Sequence, residues 1–238
     1  FRKWINASWR RQAVLPKTIE FGKTDHQFSL SQKSKDLLSI SSSGYGGETS
    51  GSEKMNQWLS RSSNAYNSTK DVPYLDSTSH LSAFLHFGCI SPLNLAIQAQ
   101  SFPETENFVR QLCWRDFFLQ ILAVRPDASI NDYRNRNDIW AKDPESFIAW
   151  KEGKTGFPLV DAGMRQLKAE GFMHNRTRMV TASFLVKDLY LDWRVGASHF
   201  MEHLIDGDIA NNQLGWQWVA GTGTDSNPHR ILNPIRQS

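Results

Sequence analysis

Two carboxylates, two amides and two indoles fall within one stretch, residues 206–223, DGDIANNQLGWQWVAGTG. Asp206 and Asp208 flank a glycine, Asn211 and Asn212 follow, and Trp216 and Trp218 stand two apart just beyond. The stretch is too polar for plain core and too aromatic for a plain loop. Carboxylates and amides can hydrogen-bond the edges of a flat polar heterocycle, and indole faces offer a stacking surface to a second flat partner. The chemistry this set fits is the holding of a redox-active ring beside an aromatic surface. Thr78, Ser79 and Ser82 add hydroxyls near an expected helix start, where free N–H groups and the helix dipole favour phosphate. Arg178 and Asp206 are spaced so that two helices can pair them, either as a structural salt bridge or as a charge pair across a bound ring. Asn175 and Met179 are four apart and so share one helix face.

The elements that must position these groups follow from caps and periodicity. Residues 1–45, basic and aromatic at first and then rich in Ser, Lys, Thr and Gly, read as a linker without a core of its own. Residues 46–238 read as the patterned domain. Ser91-Pro92 is an N-cap with proline at the first helical position. A long buried helix is expected over 104–124, with Phe108, Leu112, Trp114, Phe118, Leu119 and Leu122 on its apolar face. Asp143-Pro144 opens a helix that Gly153 stops, and Pro158 opens one that Gly171 ends. One helix is expected over 175–190, with Met179, Phe184, Leu185 and Leu189 as its stripe, and another over 195–205. There is no alternating strand, hairpin signal or internal repeat. The fold class is therefore all-α, a multi-helix domain.

Composition narrows the function classes. At 238 residues with 39% hydrophobic and 21% charged side chains, the chain is expected to be globular. No apolar run approaches the ~18 residues of a membrane span, and no signal peptide is visible, so a cytoplasmic protein is expected. The net charge of +3 is too mild to argue for nucleic acid by itself. Cys89 and Cys113 cannot build a disulfide framework or a zinc site alone. No metal site is expected, since none stands out among the seven histidines.

Six blocks, in order, resemble the flavin domain of the DNA photolyase/cryptochrome family: GGETSG at 46–51, LDSTSHLSAFLHFGCISP at 75–92, QLCWRDFF at 111–118, WKEGKTGFPLVDAGMRQL at 150–167, HNRTRMVTASFLVKDLYLDWR at 174–194, and the 206–223 stretch. The resemblance covers residues 44–235, and implies a fragment that lacks the family's N-terminal antenna domain and its last helices. It implies FAD as cofactor, with Tyr66, Thr78, Ser79, His80, Leu81 and Ser82 at the diphosphate. Arg178, Asp206 and Asp208 fall at the ring or ribose, Arg115 and Asn175 fall nearby, and Asn212 lies opposite flavin N5. Trp216, Trp193 and Trp140 match the family's electron-hopping chain. Gln111, Trp114, Asn175, Arg176, Met179 and Trp218 match the DNA face, where Lys70 could add a charge.

The implied activity is light-driven repair of cyclobutane pyrimidine dimers by FADH⁻, on damaged DNA whose dimer is flipped out of the duplex or lies in a single strand. A monomer is expected. The alternative is a cryptochrome-like blue-light receptor that binds FAD and repairs nothing; Asn212 and Trp218 weigh against it. Three positions depart from the family pattern. His80 stands where arginine is common, and Gln111 where bacterial dimer photolyases have glutamate. The SNPHRILNP segment at 226–234 is one residue short and lacks an aromatic before Arg230. Six-four photolyases share the glutamine, but they carry a histidine pair where this chain has His174-Asn175, so the cyclobutane dimer stays the expected substrate.

Overall fold

Capping side chains set half of the ten α-helix starts among the described residues. The structure, a computed structural model, describes Phe1, residues 3–5, 46–61 and 63–237. The expected linker thus lies almost wholly outside the described residues. Helix α1 spans Gly47–Arg61, α2 Tyr66–Thr69, α3 Ser82–His86, α4 Pro92–Gln100 and α5 Glu106–Val124. After an irregular segment come α6 Pro144–Lys151, α7 Pro158–Glu170, α8 Asn175–Ser183, α9 Trp193–His203 and α10 Ile209–Ala220. Among the described residues there is no strand, only an isolated bridge between Ala141 and Leu191. The all-α class holds.

Ser91 accepts from the Asn94 amide at 3.3 Å and Asp143 from the Ser146 amide at 3.0 Å, so both cap-plus-proline readings give helices where expected. Gly171 closes α7 in the left-handed region at φ 63°. Three expectations need correction. The 104–124 helix is buried only at Phe108, Val109 and Leu112. Its second half carries Trp114 on the surface and Phe118 against a cavity. The 175–190 helix is α-helical only to Ser183 and then widens into a π-helical turn, Phe184–Asp188, closed by the Leu189 amide to the Phe184 carbonyl at 3.0 Å. Within this turn Lys187 donates from Nζ to the carbonyls of Ala220 at 2.7 Å and Pro228 at 3.0 Å. The 195–205 helix begins earlier, at Trp193, because Asp192 caps it through the Arg194 amide at 3.0 Å.

Two apolar clusters make the core. The first joins α1, α3, α4 and the start of α5 through Met55, Trp58, Leu95, Phe108 and Leu112. The second joins α6 to α10 through Trp150, Met164, Leu185, Trp193, Phe200 and Trp216. Helix α5 belongs to the first at its start and packs on α10 further along. A polar gap lies between the clusters, and it holds the candidate site. No helix among the described residues is long and apolar enough to cross a membrane.

Candidate functional site

Asp208 is the N-cap of α10, its Oδ1 accepting from the Asn211 amide at 2.8 Å and from Asn211 Nδ2 at 2.7 Å. This cap fixes the helix that carries Asn212, Trp216 and Trp218. At 3.6 residues per turn, positions 216 and 218 lie about 200° apart around the axis. Trp216 accordingly enters the core while Trp218 stays half-buried on a cavity wall. Gly221 ends α10 at φ 87°, where a Cβ would come within 2.4 Å of the Pro228 carbonyl oxygen. Only glycine allows the chain to turn so close to the 226–234 segment.

Two adjoining cavities open between the core clusters, of about 340 and 310 Å³. Arg178, Asp206, Asp208 and Asn211 lie in the wall they share, with Gln111, Arg115 and Asn175. Tyr66, Thr78, Ser79, His80, Leu81 and Ser82 line the first chamber, as does Lys70. Asn212, Trp114, Met179, Trp216 and Trp218 line the second.

The shared wall is electrostatically arranged. Arg178 Nη2 donates to both oxygens of Asp206, at 3.1 and 2.9 Å, and its Nε donates to the Met173 carbonyl at 2.7 Å. Asp206 is buried, so the pair forms in a poorly solvated place and its geometry is fixed from two sides. Asn212 Nδ2 donates to the Ala197 carbonyl at 2.9 Å and to Gln213 Oε1 at 3.3 Å. With its amide hydrogens committed there, its oxygen is the acceptor left for a ligand.

In the first chamber His80 bonds Asp76 at 2.7 Å and lies over Phe172 with ring centroids 4.5 Å apart. Burial, reinforced by Asp71, pushes the Tyr66 phenol up to about 12, so it stays a neutral donor. Helix α3 has five residues, so the expected dipole contribution at Thr78–Ser82 shrinks to individual amides and hydroxyls. Lys70 faces this chamber, not the second.

The second chamber, like the first, opens to solvent. Trp114 on its rim is 41% exposed, and it meets Phe118 with centroids 5.8 Å apart. Asn175 Nδ2 lies 3.7 Å from Met179 Sδ, the shared helix face that their spacing implies. The shortened 226–234 segment places the Arg230 guanidinium 5.0 Å from the Trp218 ring centre. Arg176 lines neither chamber; it is paired with Asp71. His174 also lines neither. It is buried and caps α8, its Nδ1 accepting from the Arg176 amide at 3.1 Å.

Trp216 packs over Gly196 on α9 so closely that a Cβ there would meet Trp216 Cη2 at 2.3 Å. Trp193, three residues earlier on α9, is fully buried, and its Nε1 donates to Asp132 at 2.9 Å. Trp140 precedes Ala141, whose amide bonds the Tyr190 carbonyl at 2.9 Å, two residues before Asp192 caps α9. Trp216 and Trp193 are buried in the second core cluster, and Trp140, half-buried, packs against that cluster.

Several contributors were not anticipated. Phe172 lines the first chamber and Phe118 the second. Gln217, fully buried between the two tryptophans, donates to the Ala128 carbonyl at 2.6 Å and accepts from the Tyr133 amide at 2.7 Å, so it pins the 128–133 loop to α10. A lone glutamine between two tryptophans carries no pattern of its own, and only its burial reveals it.

A helical domain with a polar cleft that opens onto an aromatic rim defines a class: a domain that binds a large, flat, charged cofactor beside a second flat ligand. Residues 108–238 match the FAD binding domain of DNA photolyase, and the chain belongs to that family. It is 49% identical over 241 residues to a deoxyribodipyrimidine photo-lyase of Streptomyces griseus, covering all of this chain and 52% of that protein. An archaeal photolyase from Sulfolobus tokodaii, solved with two FAD molecules, superposes with a TM-score of 0.82 at 35% identity, over 99% of this chain and 54% of that one. A Synechocystis cryptochrome superposes with a TM-score of 0.76 at 35% identity, over 81% and 42% of the two chains. The chain spans about half the length of these relatives. The family's cofactor is FAD, and the residues present fit it. Hydroxyls and cations at one end suit a diphosphate, and the Arg178–Asp206 wall and the free acceptor on Asn212 suit the polar edge of a flavin ring.

Proposed function

We propose that this chain is the FAD-binding, catalytic part of an enzyme that repairs cyclobutane pyrimidine dimers in DNA with light. The observation that carries the reading is the pair of adjoining chambers, one lined by hydroxyls and charged groups, the other by aromatic rings, which share the wall of Arg178 and Asp206. Tyr66, Thr78, Ser79, His80, Leu81, Ser82 and Arg115 hold the cofactor's diphosphate, and Asp208 its ribose or ring edge. Arg178 places a positive charge at the ring edge and so favours a negatively charged reduced ring. Asn212 offers an acceptor and no titratable proton, which suits a permanently reduced working state. Held by these residues in its reduced form, FAD would supply, on excitation by blue or near-ultraviolet light, one electron for opening the cyclobutane ring, which would afterwards return to it.

Trp114 and Trp218 receive the dimer from both sides, each stacking contact contributing about 1–3 kcal/mol. Photolyases are an established case of base flipping, and the open rim suits a flipped or single-stranded substrate. Gln111 and Asn175 hydrogen-bond the pyrimidine edges, and Met179 gives soft apolar contact. Gln111 can bond a carbonyl but carries no charge, so a lower quantum yield than in a glutamate-bearing relative is expected. Arg176 and Lys70, already paired with Asp71, act on phosphates only where that pairing is shared or broken. Trp216, Trp193 and Trp140 form the oxidisable path from the second chamber to the surface. The two cysteines are free, which suits a reducing cytoplasm, and the working unit is a monomer.

The test is an absorption spectrum of the FAD-loaded protein before and after blue light with a thiol reductant, followed by a dimer-repair assay. Bleaching of the oxidised flavin bands, lost in Trp216→Phe, together with light-dependent repair, is the expected result. Bleaching without repair would make the chain a cryptochrome-like receptor. A protein that takes up no FAD would remove the proposal altogether.

A further inference from the structure

We propose that the last turns of α9 carry a divalent metal site, formed by His199, Glu202 and His203, that takes Zn²⁺ or an ion of similar ligand preference. Positions i, i+3 and i+4 share one helix face. One ligand atom from each of the three lies within 4.8 Å of the others, a grouping found once among the described residues. The two imidazoles are already disposed as ligands. His203 Nδ1 lies 2.9 Å from the His199 carbonyl oxygen, and donation there leaves Nε2 with a free lone pair. Metal-bound histidines commonly have their second ring nitrogen held by a carbonyl in this way. His199 is only 7% exposed, and its Nδ1 is buried with no hydrogen-bond partner. Buried ring nitrogens are normally paired, and an orphan beside a second imidazole and a carboxylate is explained by an ion that the three share. The rings are tilted at 49° with centroids 4.3 Å apart, not stacked flat.

Glu202 is exposed and reaches the cluster from the solvent side. Two imidazoles and a carboxylate suit zinc and leave a fourth position for water. The negative end of the helix dipole at the end of α9 favours a cation as well. The site would do structural work. Helix α9 ends at His203, and the chain reaches Asp206 three residues later through Ile205, whose amide bonds the Gly171 carbonyl at 2.9 Å. An ion clipped across the last turn of α9 therefore steadies the approach to the chamber wall. The competing account is a plain core histidine, since His199 also meets the edge of Trp150 with centroids 5.7 Å apart.

Zinc chloride alone, titrated into chelator-stripped chain against a chromophoric chelator, separates the accounts without reference to FAD or activity. One equivalent is expected to bind, and the melting temperature is expected to rise with it. His203→Gln removes a ligand, so affinity is expected to fall by more than the roughly 10–100-fold that loss of an outer-sphere partner costs. Glu202→Gln replaces a charged ligand with a neutral one and is also expected to weaken binding, by at least the roughly 10–100-fold of an outer-sphere loss. Both side chains reach solvent, so both variants keep the fold. His229→Gln, in an exposed loop, is expected to bind as the parent does. No stoichiometric uptake, or equal uptake by parent, His203→Gln and Glu202→Gln, would overturn the proposal.

Discussion

The two chambers are built on different principles. In the first, and in the wall it shares with the second, the charges are paired before any ligand arrives: His80 with Asp76, Lys70 with Asp71 and, in the shared wall, Arg178 with Asp206. The Lys70 and Arg176 contacts hold the Asp71 carboxyl below its usual range, against the opposing effect of burial. Such a cage has its orientation cost already met by the fold and suits a resident group. In the second chamber rings and a thioether face the shared polar wall, Trp114 and Gln111 are exposed, and Arg230 lies over Trp218 while paired with Asp225 at 3.5 Å. Such a surface suits a flat partner that comes and goes. Breaking the first chamber is therefore expected to cost stability and cofactor, and breaking the second only substrate affinity.

The largest effect is expected from Arg178→Ala, which leaves the buried Asp206 carboxylate unpaired. Removing one partner of a buried pair costs about 3–5 kcal/mol, and the lower end applies because Arg178 keeps 24% exposure. Denaturant unfolding would show the loss, and FAD retention on gel filtration would fall with it. Next, Gly196→Ala forces a methyl against Trp216 and Leu185, where the Cβ would lie 2.3 and 2.5 Å from ring and methyl carbons. Overpacking of this kind costs about 1–3 kcal/mol. Because Trp216 must shift, photoreduction is expected to slow in step with the stability loss, a coupling that transient absorption would reveal. Trp114→Ala should lower affinity for dimer-containing DNA by about 1–3 kcal/mol while melting and FAD content stay unchanged. A drop in FAD content would erase the distinction between the chambers.

The smallest effect is pH-dependent and sits at His174, beside both chambers and lining neither. Burial, the first cause, lowers its pKa below the ordinary 6.5, and Arg176 and His80 add to this against Asp71 and Asp76. A histidine with a depressed folded pKa binds more protons when unfolded. Its contribution is thus fully present above 6.5 and is lost as pH falls from there through the folded value. Protonation of Nδ1 also removes the cap on α8. His174→Asn keeps a capping oxygen and is expected to flatten this part of the stability–pH curve, measured by denaturant unfolding on both sides of 6.5.

Helix starts at Pro92, Pro144 and Pro158 were legible because cap and proline chemistry is local. The 206–223 stretch was legible as a site because its residue types conflict with both core and loop. Other features were not. The π-helical turn at 184–188 has no sequence signature; it exists because Lys187 finds two carbonyls on α10 and the loop after it. The early start of α9 was signalled by Asp192, but an aspartate before a tryptophan looks the same in a loop. The HFMEH run at 199–203 was visible as letters, yet seven scattered histidines gave no reason to group three ligand atoms until the helix did so.

The sequence alone determined the helical class, the order of the motifs and the residue types available to a flavin and a flat substrate. These follow from short-range rules: periodicity, caps and the chemistry of single side chains. Only the tertiary structure decided that Arg178 meets Asp206 across 28 residues, that Arg176 turns away to Asp71, that Trp216 is core and Trp218 rim, and that one wall serves two chambers. Those outcomes depend on how helices pack. Packing is settled by volume and burial over the whole chain, which no local pattern encodes.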